Sequence, residues 1–309
     1  MKRSERYDIG ELAKSLSPSL YLKSLGFKAF DWQNMVVESK EKRLILMCSR
    51  QAGKSTIVSS MPCHAAKYQK KSLSIVMAPS EAQAKEDMVK VKDFIARDPT
   101  YPSLRKCSEE QIELSNGSRI IVVAATDKSA RGYSRPRVVV LDEASRIPDV
   151  VYRSGVVPMV NKSPDSQIVM LSTPYGQQGF FYDTWKTSNR YKKIFVRTPW
   201  DVDPDDPTRL IPSVPEDMFI SRCAEKGIIG MYSPNHMDYD DQMGNLSDVG
   251  SRQYRQEFCC DFVEVEGQVF SNTDIDRFLS AQARPLEAAV QTDIGPAPTL
   301  RKLEGGRFF

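Results

Sequence analysis

Residues 44–58 read L-I-L-M-C-S-R-Q-A-G-K-S-T-I-V. The apolar run Leu44–Met47 predicts a short buried strand, and a helical pattern begins after Lys54. A strand, a tight loop of small and polar residues, and a helix together form the setting of a phosphate-binding loop, in which backbone N–H groups surround an anion. The sequence therefore predicts an α/β core built around this loop.

The loop residues have distinct expected roles. Gly53 lets the backbone approach a phosphate, Lys54 places a positive charge on the outer phosphates, and Ser55 can bind Mg²⁺. The usual pattern is G-x-x-x-x-G-K-S/T, and Cys48 occupies the place of its first glycine, so a chance G-K-S is the alternative interpretation. The expected nucleotide contacts in the loop are Ser49, Arg50, Gln51, Ala52, Gly53, Lys54, Ser55 and Thr56.

Two adjacent acids follow a second apolar run. Val138–Leu141 predicts a buried strand, and Asp142 and Glu143 stand at its end. An acid at this place is costly unless a cation compensates it. We expect Asp142 to hold Mg²⁺, directly or through water, and Glu143 to orient and deprotonate an attacking water. The pair favours nucleotide hydrolysis over binding alone, with solvated acids at a strand end as the alternative.

Polar residues also end the predicted strand Ile168–Leu171. The carboxyl ends of strands in an α/β sheet point into the ligand crevice. Ser172 or Thr173 could therefore sense the terminal phosphate and couple its loss to the rest of the protein, and the alternative is that they cap the next segment.

An aromatic residue and a glutamine precede the loop. The amide of Gln33 can both donate to and accept from an adenine edge, with Trp32 packing nearby. The alternative is a surface turn that uses its aromatic residues as anchors. The position just before the phosphate loop favours the adenine contact.

Composition limits the class of protein. The chain has 309 residues, a net charge of +3 and 40% hydrophobic residues, which suits one large α/β domain or two smaller ones. No apolar run has the length of a membrane helix, and the N-terminus lacks the apolar core of a secretion signal, so we expect a cytoplasmic protein without membrane contact. The six scattered cysteines favour reduced, mostly buried thiols.

Basic residues cluster in two ways. The loop at 126–137 carries Arg131, Arg135 and Arg137, and an exposed basic connection is its simplest interpretation. Because the net charge is small, any contact with nucleic acid must be a local patch that binds phosphates without reading sequence. The candidates for that patch are Lys67, Lys70, Lys71, Lys192 and Lys193.

Several segments have a weaker pattern. Residues 1–29 predict a short helical segment that Gly26 ends, and Asn116-Gly117 predicts a hairpin turn. After Asp201 the chain becomes acidic and proline-rich, and 208–262 predicts helices and loops. Tyr232–Ser247 has few apolar residues, which favours a mobile segment.

Taken together, these motifs resemble the N-terminal ATPase half of the large terminase subunit of tailed bacteriophages. The residues that carry the resemblance are F-D-W-Q at 30–33, S-R-Q-A-G-K-S at 49–55, V-V-V-L-D-E-A at 138–144, L-S-T-P at 171–174, Y-R-Q-E-F at 254–258 and E-G-Q-V-F at 266–270. The resemblance covers nearly the whole chain.

The resemblance implies a fold and a domain organisation. The fold would be a P-loop NTPase of the additional-strand class, with a mainly parallel central sheet flanked by helices and a small, mostly helical lid. The strand at 168–171 would then lie between the two nucleotide-motif strands. The implied segments are an N-terminal helical part (1–29), the ATPase core (30–200), the lid (201–265) and a linker (266–309) toward a nuclease domain. That domain would begin just after 306–309, so we expect a chain without cutting activity.

The resemblance also implies a function. ATP and Mg²⁺ would power the translocation of double-stranded DNA into a procapsid in the host cytoplasm. The partners would be the portal protein, a small terminase subunit and copies of the chain in a ring, commonly a pentamer, although the isolated chain would be a monomer.

Two arginines gain a meaning from the resemblance. Arg131 is similar to an arginine finger that enters the ATP site of a neighbouring subunit, which is worth about 10³–10⁵ in rate. Arg50 is similar to a cation that senses the terminal phosphate within its own subunit. The alternatives to a packaging motor are a helicase-type DNA-dependent ATPase and a nucleotide-gated module for docking on a portal or capsid.

Overall fold

The computed structural model describes residues 8–130, 132–161 and 163–263, which lie in one compact unit. Arg131 and residues 264–309, including the predicted linker, lie outside the described residues. The helices are α1 (Ile9–Leu16), α2 (Pro18–Ser24), α3 (Asp31–Glu38), α4 (Lys54–Tyr68), α5 (Glu81–Ala96), α6 (Asp127–Ala130), α7 (Asp149–Val151), α8 (Val157–Asn161), α9 (Gly179–Thr187), α10 (Glu216–Glu225) and α11 (Tyr239–Glu257).

The strands alternate with these helices along the chain. They are β1 (Arg43–Cys48), β2 (Leu73–Ala78), β3 (Leu104–Cys107), β4 (Gln111–Leu114), β5 (Arg119–Ala124), β6 (Val138–Asp142), β7 (Gln167–Ser172), β8 (Lys192–Arg197), β9 (Trp200–Val202), β10 (Leu210–Pro212) and β11 (Ile228–Tyr232). Short 3₁₀ turns at Ala144–Arg146 and Pro234–His236 and a π-helical turn at Tyr152–Val156 complete the described elements.

The main sheet has nine strands within the described residues, in the order β11-β8-β1-β7-β6-β2-β5-β4-β3. The strands from β11 to β5 in that order are parallel, and β4 and β3 add an antiparallel extension. β7 lies between β1, which leads into the glycine-lysine loop, and β6, which ends in the acids. The predicted strand order around the nucleotide motifs is therefore confirmed.

Helices cover both faces of this sheet, because its central strands are apolar on both sides. Leu44 and Leu46 of β1 pack into one hydrophobic cluster with Val58 of α4, whereas Ile45 packs into the other with Phe180 of α9. This alternation follows from the opposite direction of successive side chains in a strand. Since parallel strands end at the same edge, the residues after β1, β6 and β7 meet there.

The predicted strands and helices around the loop are confirmed, and so are the helical N-terminal segment, with Gly26 at φ +82, and the hairpin at Asn116-Gly117. The prediction of a mobile Tyr232–Ser247 is wrong, because most of this segment forms the first half of α11. Few apolar residues are enough to hold this helix against the rest of the fold, because Leu246 and Tyr254 pack in one small hydrophobic cluster with Leu210. The predicted domain boundaries remain predictions.

The edge strand β11 is an addition that sequence reasoning missed, and it joins residues after Asp201 to the main sheet by pairing with β8. Among the described helices, none combines the length and the apolar character that crossing a bilayer needs.

Candidate functional site

The loop between β1 and α4 depends on one glycine. Gly53 has φ +100, and a Cβ built on it would lie 2.7 Å from Nε2 of Gln33. A side chain there would be strained and would clash, so the loop needs glycine at this position. Ala52 is buried below the loop, and Ser55 is exposed in the first turn of α4.

Lys54 points from the start of α4 toward the carboxyl edge of the sheet. Its Nζ donates to the backbone oxygen of Ser49 at 3.3 Å and lies 3.5 Å from Oε1 of Glu143. The lysine of the predicted phosphate loop and the acid at the end of β6 are therefore neighbours, as the sequence interpretation requires.

Glu143 is held in place by residues that follow β7. Its Oε2 accepts hydrogen bonds from the hydroxyls of Ser172, at 3.1 Å, and Thr173, at 3.3 Å. The backbone of Glu143 has φ +45, in the left-handed region that non-glycine residues seldom adopt. Such a conformation often accompanies a function and needs support from its surroundings. Here Ser145 supplies part of it by binding Ser172 at 2.7 Å.

Asp142 sits at the tip of β6 and is 5% exposed. Burial, together with the nearby carboxylates of Asp87 and Glu143, raises the pKa of Asp142 to about 7, and the positive charge of Lys54 opposes this rise. Lys54, 3.5 Å from Glu143, and Lys90, 3.0 Å from Asp87, compensate only part of the charge that the three carboxylates carry when all are ionised. With the exposed hydroxyl of Ser55, the carboxylates offer the oxygen ligands that Mg²⁺ prefers, so the residues fit that ion.

Asp87 is a member of the site that sequence reasoning missed. It is fully buried on α5, and its Oδ1 accepts from Lys90 at 3.0 Å and from Gln83 at 3.3 Å. Its Oδ2 has no hydrogen-bond donor among the described residues, and Gln83 lies 3.5 Å from Asp142. The one available signal was the four-residue spacing of Gln83 and Asp87, which puts them on one face of a helix.

The phosphate loop is also held from its other side by the last described part of the chain. Arg50 donates its backbone N–H to the backbone oxygen of Glu257 and its Nη1 to the carboxylate of Glu257, both at 2.7 Å. Asn235 donates to the backbone oxygen of Gln51 at 2.8 Å. Two separate segments after residue 230 thus fix the backbone of the loop.

His236 completes this support. Its Nδ1 lies 3.2 Å from the hydroxyl of the buried Ser49, and burial lowers the pKa of His236 to about 4. The neutral ring packs edge to face with Phe258. Sequence reasoning missed this support, because nothing local in the chain links position 236 to position 49.

Of the two predicted adenine contacts, Gln33 lies at the loop and Trp32 does not. Gln33 packs against the loop, where its Nε2 donates to the backbone oxygen of Gly53 at 2.8 Å and its Oε1 accepts from the backbone of Phe30. Trp32 is 1% exposed in the core, so its ring cannot reach a base in this conformation. Phe30 is the half-buried aromatic beside Gly53 and replaces Trp32 as the aromatic neighbour of the site.

The predicted finger, Arg131, lies outside the described residues, and only its surroundings can be given. Ala130, the residue before it, is buried against the π-helical turn. A Cβ built on Gly155 of that turn would lie 2.2 Å from Cβ of Ala130, so the two segments are in close contact. Thr56, the last predicted loop residue, is half-buried in the first turn of α4.

One of the predicted DNA-binding lysines is unsuitable. The ammonium group of Lys67 pairs with Asp98 at 2.7 Å and with Glu11 at 3.1 Å, and it lies 5.0 Å from the ring centre of Tyr21. Its side chain is 6% exposed, so Lys67 is a structural cation rather than a DNA contact. Lys70, Lys71 and Lys192 are exposed, and Lys193 is half-buried.

Comparison with known proteins agrees with this architecture. A family model described as "Terminase large subunit, T4likevirus-type, N-terminal" matches residues 45–277. The ATPase domain of the Thermus phage P74-26 large terminase is 19% identical, with a TM-score of 0.55 over 79% of this chain and 97% of that domain. A mutant form of that domain gives a TM-score of 0.58 over 79% of this chain and 98% of its own.

The large terminase of bacteriophage HK97 is 13% identical, with a TM-score of 0.55 over 76% of this chain and 51% of that protein. At these identities the structural neighbours support the fold, a mostly parallel sheet flanked by helices. The family model covers most of the sequence and includes the phosphate loop, both acids and the residues after β7. The chain therefore belongs to the family of N-terminal, ATPase-domain regions of large terminase subunits.

Proposed function

We propose that this chain hydrolyses ATP with Mg²⁺ and uses the energy to move double-stranded DNA into a procapsid. One observation carries the hydrolytic part: Lys54, from the phosphate loop, lies 3.5 Å from Glu143, and Glu143 is bound at the same time by Ser172 and Thr173. Residues that follow three different strands thus meet at one edge of the sheet.

The residues have complementary roles in this proposal. Lys54 and the backbone N–H groups at the start of α4 bind the phosphates, because the N-terminus of a helix presents N–H donors to an anion. Ser55 and Asp142 would hold Mg²⁺, which supplies charge neutralisation on the phosphate oxygens when bound. Glu143 orients the attacking water and accepts its proton, because it is the ionisable group beside Lys54 that the structure leaves half-exposed.

Ser172 and Thr173 would couple hydrolysis to movement. They donate hydrogen bonds to the carboxylate of Glu143, so any displacement of that carboxylate changes the contacts at the end of β7. Gln33 supports the loop at Gly53, and we assign it the contact with adenine. Arg50 is the cation within the subunit, and Arg131 acts in the site of a neighbouring copy of the chain.

The wider setting follows from the family. In the proposed assembly, copies of the chain, commonly five, form a ring in the host cytoplasm. The ring docks on the portal protein, exchanges with a small terminase subunit and contacts double-stranded DNA without reading its sequence. Because Arg131 is proposed to act on a neighbour, the isolated chain should turn over ATP slowly and faster at concentrations at which copies associate.

ATP hydrolysis by the purified chain tests this proposal, measured over a range of protein concentrations with and without duplex DNA. We expect the rate per chain to rise with concentration and with DNA, and Lys54→Ala to remove it. Lys85→Ala changes an exposed lysine on α5 and serves as the matched control. Turnover that Lys54→Ala leaves unchanged would contradict the assignment of the loop.

The alternative functions predict different behaviour in the same assay. A helicase-type ATPase would separate the strands of a duplex with a single-stranded tail. A nucleotide-gated docking module would change its self-association on binding ATP, with hydrolysis dispensable. The packaging motor requires hydrolysis and leaves the duplex intact.

A further inference from the structure

The edge of the sheet opposite the phosphate loop carries a set of exposed cations. We call this surface the basic edge. Its members are all exposed, and they precede or begin the parallel strands: Lys40, Lys42, Lys70, Lys71, Arg119 and Lys192.

The strand register places these residues on one side of the molecule. Lys192 at the start of β8 lies beside Leu44 of β1, and Arg119 at the start of β5 lies beside Leu73 of β2. Five strand spacings separate β8 from β5, which corresponds to roughly 24 Å. Lys70 joins this side because α4 starts at the phosphate loop and runs back across the sheet to Tyr68.

The cations of the basic edge are not neutralised inside the protein. Across residues 8–130, 132–161 and 163–263, the ion pairs involve other cations, such as Arg50, Lys67, Lys90 and Arg153. Acids also lie at this edge: Glu41 and Asp165 are exposed, and Glu113 lies opposite Arg119 in the β4–β5 register, without an ion pair between them among the described residues. Because the chain as a whole has a net charge of only +3, a polyanion would be attracted by a local group of cations such as this one rather than by the overall field.

The carboxyl edge has the opposite character. Asp87, Asp142, Glu143 and Glu257 gather there around the phosphate loop. A polyanion would therefore be attracted to one edge of the sheet and would meet unfavourable acids at the other, apart from the loop itself.

We propose that the basic edge binds the phosphate backbone of duplex DNA, on the side of the sheet opposite the nucleotide site. Exposed lysines on flexible side chains are point charges that suit phosphates and do not read bases. A span of roughly 24 Å corresponds to about seven phosphate spacings along one strand of DNA. This proposal rests on the proposed function, since it assigns a surface to the DNA of that function.

The placement has a mechanical consequence. β1, β6 and β7 each begin near the basic edge and end at a residue of the nucleotide site, namely Cys48 before the loop, Asp142 and Ser172. DNA and nucleotide therefore occupy opposite ends of the same central strands and do not compete. A shift of these strands between nucleotide states would be transmitted along their length.

The test is duplex binding, measured by fluorescence anisotropy of a labelled DNA at several salt concentrations. The triple variant Lys42→Gln/Lys70→Gln/Lys192→Gln should reduce the slope of log affinity against log salt by about 3, since each phosphate contact contributes about 0.9. The control triple Lys85→Gln/Lys128→Gln/Arg209→Gln removes the same charge from exposed positions elsewhere and should leave the slope unchanged.

Three results would overturn the proposal. The first is equal loss of affinity in the two triple variants, which would mean that net charge alone governs binding. The second is strict competition, in which the apparent affinity for DNA keeps falling in proportion to the concentration of an ATP analogue without reaching a plateau, because that result would place both ligands at one site. The third is duplex binding that salt does not weaken, because contacts of lysines with phosphates release counterions and must weaken as salt rises.

The result for the unsubstituted chain separates the two proposals. If it hydrolyses ATP and binds duplex DNA, but the basic-edge triple variant binds like the control, only the location of the DNA surface is wrong. If it binds no duplex at all, the proposed DNA-translocating function fails as well.

Discussion

Neutralising Glu257 tests whether Arg50 works on the nucleotide within its own subunit. The substitution Glu257→Gln keeps the shape of the side chain and removes its charge. Burial alone would raise the pKa of Glu257, but hydrogen bonds from Arg50 and Gln253 outweigh it and hold that pKa below its usual value. The carboxylate is therefore ionised at neutral pH, and an Arg50 side chain that moves to a phosphate in its own subunit would break this ion pair.

The size of the effect follows from the exposure of the pair. The side chain of Arg50 is 56% exposed and that of Glu257 is 10% exposed, so solvent screens the 2.7 Å contact on one side. Pairs of this kind contribute about 1 kcal/mol or less. If breaking the pair opposes nucleotide binding, its removal should tighten the binding of an ATP analogue by at most about fivefold.

Calorimetric titration of an ATP analogue with Mg²⁺ measures this change. Asp261→Asn is the matched control, because it removes the exposed Arg255–Asp261 pair near the same end of α11. In a chain that already carries Arg50→Gln, the substitution Glu257→Gln should no longer tighten the binding of the ATP analogue. Unchanged or weaker binding in Glu257→Gln would refute the reasoning and would leave Arg50 as a purely structural support of the loop.

Three further predictions concern the supports of the site. Asp87→Asn should weaken Mn²⁺ binding in the presence of nucleotide by about 10–100-fold, read by electron paramagnetic resonance, whereas the exposed Asp93→Asn should not. Burial lowers the pKa of His236 to about 4 from 6.5. The neutral ring therefore contributes about 3 kcal/mol to the free energy of unfolding above pH 6.5, and this contribution is lost as the pH falls toward 4. Urea unfolding should show that the free energy of unfolding falls less between pH 6.5 and pH 4 in His236→Gln than in the unsubstituted chain. Gly155→Ala should push against Ala130, destabilise the fold by about 1–3 kcal/mol and slow concentration-dependent ATP hydrolysis, while nucleotide binding by the folded fraction stays intact.

The central sheet could be predicted because its strands are continuous apolar runs. The predicted strand Val138–Leu141 forms all but the last residue of β6, which is buried along its whole length. β3, in contrast, is exposed at every residue, so no hydrophobic pattern marks it. β11 was missed because its five residues gain their strand geometry from pairing with β8, far away in sequence.

The site could be predicted only in part, for a similar reason. Lys54, Asp142 and Glu143 belong to local patterns, and the common edge of parallel strands brings them together. Asp87 looks like any acid on a surface helix, and its burial depends on the packing of α5 against β5 and β2. Contacts such as that of Arg50 with Glu257 join positions that no local rule connects.

The most direct test of the central claim is ATP binding and hydrolysis by Glu143→Gln, followed together in one single-turnover reaction. The substitution keeps the hydrogen-bonding shape next to Ser172 and Thr173 but removes the proposed base. We predict that ATP binds at least as tightly as before, while its hydrolysis slows by about 10²–10⁴-fold. Hydrolysis at the original rate would contradict the assignment of Glu143, and loss of ATP binding would contradict the separation of binding from catalysis.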